Sequence, residues 1–218
     1  MGPDDQEDID MASTTRVPKA ELTGPLGFVV KRFSKKVLGE VAEPAEVMWH
    51  NKRVLMDTLK FGGKVQRWHE LDPNLQSFAH MAVASLVGCS WCLDFNYFHA
   101  HNEGLDETKA SEVPRWREST VFTPLERDVM AYAEAMTMTP PQVTDELSAR
   151  LLDQLGASAL VELTALVAFA NTSTRANVAL GVESQEFSSA CALPLARPSS
   201  AVDQGPAEHP DPAELASA

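Results

Sequence analysis

A chain of 218 residues that carries three cysteines and a formal charge of −13 rules out several classes at once. It is long enough to bury one substantial core without disulfide staples, and three cysteines are too few for a secreted disulfide framework. So acidic a chain offers little attraction to a phosphate backbone, which argues against nucleic-acid binding.

No basic region followed by an apolar one opens the chain at Met1–Asp5, so no signal peptide is visible. The longest apolar stretch, Leu163 to Ala170, is too short to span a bilayer. A cytoplasmic protein with no membrane partner is the expectation. Residues 1–21 are polar and acidic, and residues 196–218 are rich in Pro, Ala, Ser and acids. Both read as disordered tails around a single all-helical domain at 22–195.

In chain order, Leu26, Val29, Val30, Phe33 and Val37 repeat at helical spacing, with Lys31, Arg32, Lys35 and Lys36 on the other side. That basic face could meet an anionic membrane surface, but a solvated helix face is the simpler reading. Pro44 suits the first turn of the next helix. Val54, Leu55 and Leu59 continue the pattern until Gly62-Gly63 interrupts it. Asp72-Pro73 reads as an N-cap and first helical residue, predicting a helix from Pro73 to about Val87. Another helix starts near Cys89 and Cys92 and ends between Asn102 and Gly104, and Asp106 can cap a short one to about Ser111. Thr123-Pro124-Leu125-Glu126 is a capping box with proline at the first helical position. Thr144 or Asp145 can cap a helix through Leu155 that Gly156 stops. A long apolar helix follows from about Ser158 to Leu180. No strand alternation stands out, so the fold class is all-α.

The chemistry concentrates in Gly88-Cys89-Ser90-Trp91-Cys92, where two soft groups sit two residues apart. Three readings are open: a redox dithiol, a structural metal site completed by Cys191 and a histidine such as His99, or buried packing thiols. A thiol at the start of a helix feels the positive end of the dipole, which favours the reactive thiolate.

The block Leu86-Val87-Gly88-Cys89-Ser90-Trp91-Cys92-Leu93-Asp94-Phe95 resembles the carboxymuconolactone decarboxylase superfamily, in particular its alkylhydroperoxidase D-like branch. Phe122-Thr123-Pro124-Leu125-Glu126-Arg127 and Val161-Glu162-Leu163-Thr164-Ala165-Leu166 extend the likeness over about residues 45–190. The resemblance implies a compact helical subunit that assembles into trimers or hexamers. It also implies reduction of a hydroperoxide through a dithiol–disulfide cycle, without haem, metal or other cofactor, and regeneration by an external dithiol. Within that branch a Glu twelve residues before the first cysteine and a His four residues after the second relay protons to the thiols. Here those positions hold Ser77 and Asn96, neither of which is a base near neutral pH. The resemblance assigns the attack to Cys92 and the resolving role to Cys89, although the helix dipole alone favours the earlier cysteine.

Two substitute bases present themselves. His80 lies one turn beyond Ser77 on the same face, and His99 lies two turns beyond Cys92. Each has a plainer reading as a packed or surface imidazole. Asp94 points away or caps locally; Trp91 packs or walls the thiol pocket. His101 is out of phase, and His101-Asn102-Glu103 has the wrong order relative to the cysteines for a zinc deaminase. Glu162 interrupts an apolar helix, at an exposed or interface position or as a buried group near the site. Asn171, Thr172, Ser173 and Thr174 serve subunit contacts or a pocket.

The expected function is therefore a thiol-dependent peroxidase. The alternatives are a lyase acting on a small lactone or organic acid with His80 or His99 as acid or base, and a helical oligomer that keeps the fold with weakened activity.

Overall fold

A computed structural model describes residues 14–197. Over this span the chain forms α1 (Gly24–Leu38), α2 (Glu43–Met48), α3 (Lys52–Val65), α4 (Pro73–Val87), α5 (Ser90–Asn102), α6 (Glu107–Glu112), α7 (Pro124–Thr137) and α8 (Asp145–Leu180), with three short 3₁₀ turns. No strand occurs among the described residues.

Local chemistry sets most of these boundaries. The Asp72, Asp106 and Thr123 side chains accept from Asn74, Lys109 and Glu126 N–H groups, closing the N-termini of α4, α6 and α7. At α7 both halves of the capping box form. Gly156 has φ 78 and ψ 167, so α8 is two helices meeting at a break. A side chain there would meet the left-handed penalty that glycine escapes.

α4 lies at the centre. Leu75, Phe78, Ala79, Met81, Ala82, Val83 and Ala84 are all buried, so the helix is enclosed on most sides, and α5, α7 and α8 pack on it. A smaller cluster of Leu22, Ala45, Trp49 and Leu55 joins the N-terminal segment to α2 and α3.

Four expectations change. Residues 14–21, read as tail, hold the end of α8. Arg16 N–H donates to Leu180 O at 2.8 Å, and its guanidinium donates to Val178 O at 2.8 Å and Ala179 O at 2.6 Å. A cation satisfies carbonyls that the helix end leaves open. At the other end, Ala196 N–H donates to Ser111 O; residues 1–13 and 198–218 lie outside the described residues. The apolar stripe of α1 faces outward: Leu26, Val29, Phe33 and Val37 are exposed in the single chain, and the helix buries only Gly27 and Ser34. α8 is long and apolar enough to cross a membrane by length and composition, contrary to the short-stretch reading. It nevertheless buries Leu147, Leu151, Leu163, Val167, Ala170 and Asn177 against the bundle, as a core helix does. Finally, Glu162 is neither free nor beside the cysteines. Its carboxylate accepts from Glu70 N–H, Leu71 N–H and Gln76 Nε2, clamping the α3–α4 connection.

Candidate functional site

Gly88 ends α4 in the left-handed conformation, φ 78. Its N–H donates to Ser85 O, and Cys89 N–H donates to Ala84 O, the paired bonds of a Schellman motif. The chain therefore reverses within one residue, and Cys89 becomes the N-cap of α5 with Sγ accepting from Cys92 N–H at 3.2 Å. The same geometry sets Cys92 in the first turn, with the two Cα atoms 5.3 Å apart and the sulfurs joined as a disulfide. That separation lies inside the range of about 4.4–6.8 Å that bridged cysteines adopt. Both residues are buried, at 1% and 2% exposure.

The two sulfurs have different partners. Cys89 Sγ sits on the open amides of α5, where a thiolate is favoured. Cys92 Sγ accepts from Asn177 Nδ2 at 3.4 Å, an amide that α8 carries in from across the bundle and that is 6% exposed. Sequence reading missed Asn177. Its signal was an amide one turn beyond Thr174 in an apolar helix, and its partner lies 85 positions away.

The positions at which the resemblance places a relay do other work. Asn96 is buried, and its Nδ2 donates to Cys92 O at 2.6 Å, so the side chain turns back on its own helix. Ser77 Oγ lies 3.8 Å from Met81 Sδ.

His80 is half-buried, with its ring edge-on to Phe169 at 6.3 Å. Burial, and then the neighbouring charge of His99, push its pKa down to about 4. The imidazole is thus neutral near neutral pH, but a base so weak has little driving force to take a thiol proton. His99 stacks on Phe95 at 6.1 Å, and Phe95 stacks on Trp91 at 5.0 Å, making a row of parallel rings along α5. Neither imidazole hydrogen-bonds to a sulfur; among the described residues the two hydrogen bonds to the sulfurs of this pair come from Cys92 N–H and Asn177.

Behind this row the C-terminal segment folds over α5. Trp91 Nε1–H donates to Gln185 Oε1 at 2.9 Å. Asp94, expected to point away or cap locally, does neither: it is buried, and its carboxylate accepts from Ser184 Oγ, Phe187 N–H and Ser188 N–H of the distant C-terminal segment. Cys191 does not join the cysteine pair. It lies with His101 and Glu107, so the Cys₃His site read from sequence is not assembled.

Comparison with known proteins bears on the family and the fold. Residues 55–135 match the model of the carboxymuconolactone decarboxylase family. Protein YnjA of Escherichia coli (strain K12) is 33% identical over 162 residues, covering 73% of this chain and 86% of that one. The alkylhydroperoxidase AhpD core of a peroxidase-related protein from Ralstonia eutropha JMP134 superposes with a TM-score of 0.70 at 15% identity, over 80% of this chain and 95% of that one. The debrominase Bmp8 superposes with a TM-score of 0.66 at 19% identity, over 75% and 88% respectively. At such identities the two structures speak to the fold.

Proposed function

Because the chain belongs to the carboxymuconolactone decarboxylase superfamily, with the fold of its alkylhydroperoxidase D-like branch, we propose that it is a thiol-dependent peroxidase working in the cytosol. The observation that carries this reading is the buried Cys89–Cys92 pair, bridged across one turn at the start of α5. In the reduced enzyme one thiolate attacks the terminal oxygen of a hydroperoxide. The O–O bond breaks, an alcohol leaves, and the cysteine becomes a sulfenic acid. The second thiol displaces water from that sulfur and forms the disulfide. An external dithiol then reduces the pair by exchange and is itself oxidised.

Cys92 is the proposed attacking residue. Asn177 stabilises its thiolate by an amide hydrogen bond, and Cys89, on the α5 amides, resolves. His80 and His99 are the proton carriers proposed from the sequence, although neither hydrogen-bonds to a sulfur. Asn96, bound to the Cys92 carbonyl, supports a second reading in which the subunit keeps the fold with weakened activity.

The test is peroxide consumption driven by a small dithiol, with mass spectrometry of the protein after mild peroxide. The expected result is turnover, loss of two hydrogens from the oxidised chain, and loss of turnover in Cys92→Ser. Thiols that stay free, or overoxidise independently, leave only the second reading standing.

A further inference from the structure

Three donors of different chemistry, none of them used by the peroxidase reading, meet at the C-terminal end of α5. His101 stands in the last turn of α5, Glu107 opens α6, and Cys191 follows the 3₁₀ turn at Phe187–Ala190. Their ligand atoms all lie within 4.8 Å of one another, and His101 Nδ1 is 3.0 Å from Glu107 Oε2. At ordinary zinc bond lengths, two ligand atoms of a tetrahedral site stand roughly 3.3–3.6 Å apart. The cluster therefore needs adjustments of about an ångström to surround an ion.

One of the three ligands is already held in place. Glu107 Oε1 accepts from Ala192 N–H at 2.9 Å and Leu193 N–H at 3.2 Å, and Tyr97, whose hydroxyl donates to Leu193 O at 2.7 Å, holds the same segment. The two amide bonds fix the carboxylate through one oxygen and leave Oε2 turned toward His101. A carboxylate oriented by outer donors is what metal sites require. His101 and Glu107 are 34% and 22% exposed at their side chains, so an ion and a water can reach them.

We propose that His101, Glu107 and Cys191 bind a divalent transition-metal ion of the zinc class through imidazole nitrogen, carboxylate oxygen and thiolate, with water as the fourth ligand. The mixed N, O and S donor set fits Zn²⁺ or Co²⁺ and disfavours Mg²⁺ or Ca²⁺. Binding displaces the proton held between His101 Nδ1 and Glu107 Oε2 and the thiol proton of Cys191. The ion would clip the C-terminal segment to the helix that carries Cys92, independently of the dithiol cycle.

The experiment uses the full-length, untagged protein with the Cys89–Cys92 disulfide closed, which leaves Cys191 as its single thiol. Co²⁺ is titrated in and the absorption spectrum read, with Zn²⁺ added afterwards as competitor. The expected result is one equivalent of bound Co²⁺ with a thiolate-to-metal charge-transfer band, displaced by Zn²⁺. Cys191→Ser should lose that band. His101→Ala and Glu107→Gln should each weaken binding by about ten-fold or more; the glutamine keeps an oxygen for the Ala192 and Leu193 amides, so the segment stays in place. Absence of the charge-transfer band with Cys191 intact overturns the proposal. So does binding that His101→Ala and Glu107→Gln both leave unchanged, which would mark surface association only.

Discussion

Asn177 Nδ2 stands 3.4 Å from Cys92 Sγ, donating into a sulfur that is 2% exposed. Water has little access to solvate a thiolate there, so the amide is the main polar neighbour on that side. A hydrogen bond to a charged group contributes about 1.5–3 kcal/mol, and 1.36 kcal/mol corresponds to about one pKa unit. Asn177→Leu is therefore expected to raise the Cys92 thiol pKa by about one unit or more. Alkylation of the reduced protein as a function of pH, followed by peptide mass spectrometry, reads the two cysteines separately. Cys89, held by backbone amides of α5, should shift little. A Cys92 pKa unchanged by the substitution would remove Asn177 from the site.

Asn177 also marks where sequence reading stops. The caps at Asp72, Asp106 and Thr123, the Gly88 reversal and the break at Gly156 are local: each rests on residues within a few positions of one another, so their chemistry was visible in the chain. The Cys89–Cys92 pair was visible for the same reason. Arg16, Asp94, Glu162 and Asn177 reach partners about 85 to 160 positions away, and nothing in their own neighbourhoods names those partners. Cys191 shares its thiol chemistry with Cys89 and Cys92, but the packing of the last segment on α5 sends it to His101 and Glu107 instead.

His80 makes the fold sensitive to acid. Its pKa falls from 6.5 to about 4, chiefly because burial opposes its charge. The unfolded chain thus binds a proton between pH 6.5 and 4 that the folded chain resists, and stability falls as pH drops through that window. A shift of this size corresponds to on the order of 3 kcal/mol at full expression. Urea unfolding of wild type and His80→Leu at pH 7, 5.5 and 4.5 should show a steeper loss for the wild type. Parallel curves would mean that this imidazole titrates normally.

The outward stripe of α1 predicts assembly. Leu26, Val29, Phe33 and Val37 are 39%, 60%, 66% and 44% exposed on one helix face, more contiguous apolar surface than a solvated helix ordinarily shows. We expect light scattering at micromolar concentration to give a multiple of 23.8 kDa. Val29→Asp with Phe33→Asp should lower that multiple, since a carboxylate in a closed apolar interface is costly. A monomer mass for the wild-type chain would refute the homo-oligomer.

Ser77 and Asn96 occupy the positions where the alkylhydroperoxidase D-like branch has Glu and His, and here they bond to Met81 Sδ and the Cys92 carbonyl. Neither takes a proton near neutral pH. An exposed helix end contributes roughly 0.3–1 kcal/mol to thiolate formation, less than one pKa unit. From a reference near 8.5, a thiol helped by the helix end alone, without the Asn177 amide, is mostly protonated at pH 7, and His80, with a pKa of about 4, is a weak base for it. A positioned acid–base group contributes about 10²–10⁴-fold. Ser77→Glu with Asn96→His should therefore raise the rate of peroxide consumption by ten-fold or more at pH 7, with helicity unchanged. His80→Ala in the wild-type background should lower that rate by about 10²-fold if His80 is the proton acceptor. Asn96 also donates to a backbone carbonyl, so Asn96→His alone separates the loss of that bond from the gain of a base: it should cost stability without restoring rate. Should the double variant fold and gain nothing, proton delivery is not what limits this dithiol, and peroxide is not the oxidant that the pair meets.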